Sequence, residues 1–149
     1  EQPCYNLIER SRVEQEYRRL YADIGLGLTS FSPLAAGLLS GKYLDGVPAE
    51  SRAELPGYAW LRNRLLRPDK NEALRQLGKI AADKWGCNTA QLAIAWCAAN
   101  PNVSSVILGA SSASQMKENL ESVRVLDRLD PTQWRELADL FAEPQENLK

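Results

Sequence analysis

Two spacings of apolar residues alternate along the chain. From Ile24 to Phe31, IGLGLTSF, apolar positions are dense enough for a buried parallel strand, and Ser32-Pro33 stops that strand and opens a tight turn of small residues. Before it, Val13, Tyr17, Leu20, Tyr21 and Ile24 recur as one face of a helix, and Gly25 stands where a helix C-cap belongs. Leu74, Leu77, Ile80, Ala81 and Trp85 mark a second amphipathic helix ended by Gly86. Asn88, with Gln91 three residues on, starts a helix over Ala90 to Ala99 with the spacing of a capping box, and Asn100-Pro101 stops it. Val103 to Leu108 is short and β-branched, a second buried parallel strand ended by Gly109.

Ser112 and Gln115 then read as an N-cap and its partner, opening a helix with Met116, Leu120 and Val123 on one side. Asp130, Pro131 and Gln133 open the last helix, whose Trp134, Leu137, Ala138 and Phe141 form one apolar stripe. Glu143 to Lys149 is polar and reads as a frayed end, as does the short, mixed opening Glu1 to Leu7, EQPCYNL. Helices alternating with buried strands follow the βαβ logic of a parallel sheet. Between Lys42 and Lys70 the periodicity fails, and Gly46, Pro48, Pro56, Gly57 and Pro68 punctuate a long segment. Tyr58, Trp60, Leu61 and Leu65 make it too apolar for a linker, so residues 42–70 read as a lid-like loop over the strand ends.

Composition narrows the function classes. The 149 residues, 44% hydrophobic and 25% charged, are enough for one globular domain with a core. A net charge of −1 argues against nucleic acid, which needs a clustered basic surface. No apolar run approaches bilayer-spanning length and no signal pattern is visible, so the expectation is a cytoplasmic protein without direct membrane insertion. Cys4, Cys87 and Cys97 lack the close pairing of a metal site and read as buried thiols of a reducing compartment, where the sequon Asn102-Val103-Ser104 carries no meaning. The chain has no histidine, which removes Ser-His-Asp and Cys-His chemistry.

Candidate chemistry gathers at the turn after Phe31. Backbone N–H groups of Leu34 to Gly37, freed by the end of the strand, can face phosphate oxygens, Lys42 adds a positive charge, and the Phe31 ring offers a flat face to a heterocycle. Gly37 to Lys42, GLLSGK, is not a P-loop: the first glycine is one residue too late, and Tyr43 replaces the magnesium-binding hydroxyl. Glu14, Glu16, Asp23, Asp83 and Glu121 fall on polar helix faces and read as solvated surface. The Ser112 helix directs its N-terminus to the same sheet end as the turn, where a phosphate gains from the helix dipole.

The run Thr29 to Tyr43, TSFSPLAAGLLSGKY, resembles the strand-seven cofactor segment of aldo-keto reductases, most closely that of the voltage-gated potassium channel beta subunit branch, which has an aromatic residue before SPLA. The resemblance implies that Phe31 stacks on the nicotinamide, where channel beta subunits typically carry Trp, and that the backbone of Ser32, Pro33, Leu34, Ala35 and Ala36 holds the pyrophosphate. Gln2 matches the strand-six glutamine that bonds the carboxamide, so Glu1 to Leu7 is expected as a strand. Ser51-Arg52 resembles the SR pair whose arginine reaches the cofactor, and GYAWL at Gly57 to Leu61 resembles the branch's GYxWL. GASSASQMKEN, Gly109 to Asn119, resembles the strand-eight segment, with Glu118 and Asn119 matching the residues that bond adenine. Many aldo-keto reductases carry lysine where Gly109 stands and arginine where Gln115 stands, two cations that bind the 2′-phosphate. Channel beta subunits share the Gly and Gln, which leaves Ser111, Gln115, Arg52 and Lys42 as substitutes.

Over Gln2 to about Phe141, the resemblance implies the C-terminal part of a (β/α)8 TIM barrel, strands six to eight with their helices, since a complete barrel takes about 250 residues. It implies an NADP(H)-dependent reductase of small aldehydes or ketones in which this chain holds the cofactor. The catalytic Asp, Tyr, Lys and His then lie in the missing N-terminal half of the barrel, and neither Tyr5 nor Tyr43 takes the donor role. Two other readings stay open: a redox-sensing beta subunit of a potassium channel, usually tetrameric, and a structural component of a larger assembly.

Overall fold

The computed structural model describes residues 1–49 and 51–142, with the side chain of Arg52 outside the description. The expected frayed end at Glu143 to Lys149 lies outside the described residues.

Gly25, at φ 65°, ends helix α1 (Arg18–Ile24), which follows a π-helical turn over Arg12–Glu16. Ile24 is therefore the last helical residue, 70% exposed, and the strand expected from Ile24 begins only at Leu28. The cause lies in the two glycines of the apolar run: Gly25 takes the left-handed cap, and Gly27 passes close to Ser104, whose Oγ would sit 3.2 Å from an added Cβ.

Strand β1 (Leu28–Phe31) pairs in parallel with β2 (Val103–Ile107), Phe31 lying opposite Ile107. Its other edge bonds the opening segment: Thr29 N–H donates to the Glu1 carbonyl (2.9 Å), Phe31 N–H to Pro3 (3.0 Å), and Tyr5 N–H to the Phe31 carbonyl (3.2 Å). The strand expected over Glu1 to Leu7 contracts to one parallel bridge at Cys4. Pro3 has no N–H to give, and the Asn6 carboxamide takes the N–H groups of Ile8 and Glu9 in an Asx turn that ends the pairing.

Helices cover one face of this sheet. Leu28 and Ser30 are buried there, while Thr29 and Phe31 face the open side. β2, expected to be buried, is at most half-buried, because among the described residues no layer covers its open face. Helix α2 (Ala59–Leu65) lies inside the segment expected to be irregular and buries Leu61 and Leu65. Helix α3 (Asn71–Ile80) runs into a π-helical turn ended by Gly86. Helix α4 (Thr89–Ala98) has the reciprocal capping box of Asn88 and Gln91, and Leu92 through Cys97 are all buried, as befits a central helix. It packs against β2, α5 (Ala113–Leu120) and α6 (Val123–Leu126).

The expected face of Met116, Leu120 and Val123 is displaced by one residue. Leu120 and Val123 are more than half exposed, and Asn119, Ser122 and Val125 are buried instead. Leu20 and Ile24 are exposed on the opposite flank, so apolar side chains stand open at both ends of the array. Helix α7 (Pro131–Asp139) starts at the Asp130–Gln133 capping box and is clamped to α4. The Trp96 and Trp134 rings stack at 4.9 Å and 5°, and each indole N–H donates to the other residue's carbonyl, at 2.9 and 3.0 Å. No helix is long and apolar enough to cross a membrane, and no group of His, Cys, Asp or Glu could hold a metal ion, among the described residues.

Candidate functional site

At the tip of β1 the backbone leaves the ordinary regions of conformational space. Ser32 (φ 57°), Ala35 (φ 48°) and Ala36 (φ 59°) all take positive φ without being glycine, each at a cost of about 1–3 kcal/mol. The surroundings hold them there. Asn6, fully buried, donates from Nδ2 to the Ser32 carbonyl at 3.1 Å, and that carbonyl also accepts from Ala35 N–H at 3.0 Å. Gly37, at φ 104°, is required: an added Cβ would meet the Tyr43 ring at 3.3 Å and the Lys42 side chain at 3.4 Å.

The expectation of freed N–H groups is met only in part. Ala35 N–H donates to the Ser32 carbonyl, Ala36 N–H to the Ser32 hydroxyl at 3.3 Å, and Gly37 N–H to the Leu34 carbonyl at 2.9 Å. A turn this tight uses its own donors to hold its shape. The weakest of these bonds, Ala36 to the Ser32 hydroxyl, is the one an anion can replace by rotation of one side chain. Lys42 is brought to the turn, with Nζ 5.1 Å from the Tyr43 ring centroid and 3.7 Å from the Cβ position of Gly37.

Beside the turn, Phe31 is 44% exposed and Ile107 41%, paired across the strand tips on the open face. Strand alternation puts Gln2 on the same face, two residues below Cys4 and its partner Phe31. Beyond β2, the Ser111 N–H and Oγ both donate to Gln115 Oε1, at 2.7 and 3.0 Å, while Ser112 Oγ accepts the Gln115 N–H at 3.2 Å. Gly109 has open space around it. Glu118 does not stand free: its carboxylate accepts from Asn88 Nδ2 at 2.8 Å. Asn119 is buried, and its Nδ2 has no hydrogen-bond partner among the described residues. The Arg52 side chain lies outside the description, but its neighbour Ser51 is buried with an Oγ that likewise lacks a partner.

An ion pair ties the 42–70 segment to the loop after the opening segment. Arg64 of α2 pairs with Glu9, whose second carboxylate oxygen accepts from the Cys4 thiol at 2.9 Å. Burial first, then the bond to Glu9, pushes the Cys4 thiol up to about 12, so it stays protonated at neutral pH. Asn6 and Glu9 escaped the sequence reading. Their signal was an Asx-turn spacing and an acid in a loop, neither of which names its partner.

The family model described as the aldo/keto reductase family matches residues 1–141. The chain belongs to the aldo/keto reductase family. Among curated proteins it is similar to a probable voltage-gated potassium channel subunit beta of Oryza sativa subsp. japonica and to one of the same name from Arabidopsis thaliana. Each is 51% identical over 132 residues, covering 88% of this chain and 40% of the relative. The chain thus spans about two fifths of the length of these relatives. Membership in this family of oxidoreductases implies a (β/α)8 barrel, and two parallel strands under a layer of helices are consistent with part of one.

Proposed function

We propose that this chain is the cofactor-binding part of an NADP(H)-dependent aldo-keto reductase, its opening segment, β1 and β2 serving as strands six to eight of the barrel. The observation that carries this reading is a half-exposed Phe31 ring at the mouth of a turn that spends three strained non-glycine residues on its shape. Strain of this kind clusters at ligand clamps and active sites.

The residues fit the group. The Phe31 face suits a planar heterocycle, Gln2 lies on the same face for the carboxamide, and the Ser32-Pro33-Leu34-Ala35-Ala36 backbone with Lys42 suits a pyrophosphate. The unpartnered Asn119 amide is a buried donor in search of an acceptor, which an adenine supplies, with Glu118 beside it. Ser111, Gln115 and Arg52, with Gly109 leaving room beside them, are the polar groups available to a 2′-phosphate. When bound, the nicotinamide supplies the hydride that reduces an aldehyde or ketone. This chain's residues bind and orient it, Phe31 and Ile107 keep water from its ring, and the 42–70 segment, latched by Arg64 to Glu9, acts as a lid. Proton transfer belongs to the rest of the barrel.

The names of the relatives favour a second reading, a cytoplasmic beta subunit associated with a potassium channel. Turnover of nitrobenzaldehyde by the complete barrel supports the reductase. Cofactor that co-purifies at one equivalent without turnover supports the subunit, and absence of bound cofactor overturns both. Arg52→Ala is expected to weaken NADPH more than NADH, because only NADPH carries the extra phosphate that a guanidinium can hold. Equal losses in paired titrations would remove Arg52 from the phosphate site.

A further inference from the structure

A cleft lies on the helical side of the sheet, away from the strand tips. Its volume is about 690 Å³, and its walls come from α1, from the turn between α4 and β2, and from the start of α7. A volume in the range of about 300–1,000 Å³ is that of small-molecule sites. Tyr21, Leu129 and Trp134 supply apolar surface.

Its charges are unevenly engaged. Glu14 accepts from the buried Tyr5 hydroxyl at 3.0 Å and faces Arg10 at 3.8 Å. Asp130 is spent on the N-terminus of α7, accepting from Thr132 and Gln133 N–H at 2.8 and 2.9 Å. The Asn100 amide is satisfied at both ends, by the Tyr5 hydroxyl and the Asn102 N–H. Arg18 of α1 and Arg135 of α7 remain, two exposed guanidiniums on different elements of the cleft with no ion pair or hydrogen bond among the described residues. Glu14 is paired within the fold and Asp130 caps α7 through one of its oxygens, whereas each of these cations is left over.

We infer that this cleft is a second binding site, distinct from the cofactor turn, for a small amphipathic carboxylate. The guanidiniums take the carboxylate, and the aromatic and aliphatic wall takes its apolar body. The α1 and α4 connections flank β1, the middle strand, whereas further strands add at the outer edges of the opening segment and β2.

The test is isothermal titration of the complete, cofactor-saturated protein with phenylbutyrate, and with phenylbutanol as the uncharged analogue of the same body. Saturable phenylbutyrate binding is expected, weakened about tenfold or more in the Arg18→Gln/Arg135→Gln double variant, with phenylbutanol weaker by a similar factor on the unaltered protein. Equal binding of the two compounds, equal binding by the double variant, or no saturable binding at millimolar phenylbutyrate would overturn the inference. The uncharged analogue needs no altered protein, so the outcome does not depend on how well the variant folds.

Discussion

Replacing Phe31 by Ala separates binding from folding, because the ring is 44% exposed and Ser32 to Ala36 take their shape from backbone bonds and Asn6 rather than from it. Full burial of a Phe side chain is worth about 1.5–3 kcal/mol, so removing a ring only a little more than half buried should destabilise the fold by about 1 kcal/mol. A stacked aromatic pair adds about 0.5–1.5 kcal/mol beyond its area, and a bound heterocycle would also bury the exposed part of the ring. The expected loss of NADPH affinity is therefore about 2- to 10-fold or somewhat more, with a small shift of the denaturation midpoint. Phe31→Trp should keep or improve affinity, since the larger ring presents a wider face. The assay is quenching of protein fluorescence on titration of the complete barrel with NADPH, paired with urea denaturation of each variant. An unchanged Kd for Phe31→Ala, or a loss for Phe31→Trp as large as that for Ala, would show that no stacking occurs at this ring.

Ala36→Gly should stabilise the chain by about 0.5–1 kcal/mol, because the left-handed strain at φ 59° outweighs the entropy that glycine gives the unfolded chain; a lower urea midpoint would contradict the strain assignment. Arg64→Ala removes a largely exposed ion pair, worth about 0–1 kcal/mol to the fold, yet should speed cofactor release in stopped-flow if the 42–70 segment is a lid; an unchanged release rate would mean it is not. The Cys4 thiol is raised from 9.0 to about 12, so the folded state keeps a proton that the unfolded chain loses, and its contribution, full below pH 9, should fade as pH rises through about 12. Cys4→Ser should flatten that part of an alkaline denaturation series; the buried Cys97 and Tyr5, shifted in the same direction, leave the remaining slope, and an identical series for the variant would refute the assignment.

Helix starts and the tight turn after Phe31 are legible because their signals are local. Asn88–Gln91 and Asp130–Gln133 form the capping boxes their spacing announces, and Gly25 and Gly86 cap where the apolar periodicity stops. What escaped depends on neighbours that a pattern does not name. Ile24, Leu120 and Val123 fit apolar stripes in sequence and stand in the open on the two flanks, because an apolar residue is buried only where a second layer exists. β2 reads as buried for the same reason and is not. Helix α2 was hidden by flanking prolines and glycines, and only Leu61 and Leu65 packing inward shows why it forms. The end of the strand leaves the N–H groups of the turn open to a ligand on sequence grounds, whereas Ser32 and Leu34 accept most of them.

The Trp96–Trp134 clamp turns the docking of the last helix into an optical event. Two indoles stacked at 4.9 Å and 5°, each bonded through its N–H to the other's carbonyl, hold that geometry only while α7 sits on α4, so the share of the near-ultraviolet dichroism that a Trp134→Phe variant loses follows that contact, while the far-ultraviolet signal follows every helix. If the two signals melt together, α7 and the sheet are one cooperative unit; if the near-ultraviolet signal falls first, the chain sheds its final helix before the rest unfolds, and the order of disassembly is recorded without adding any label.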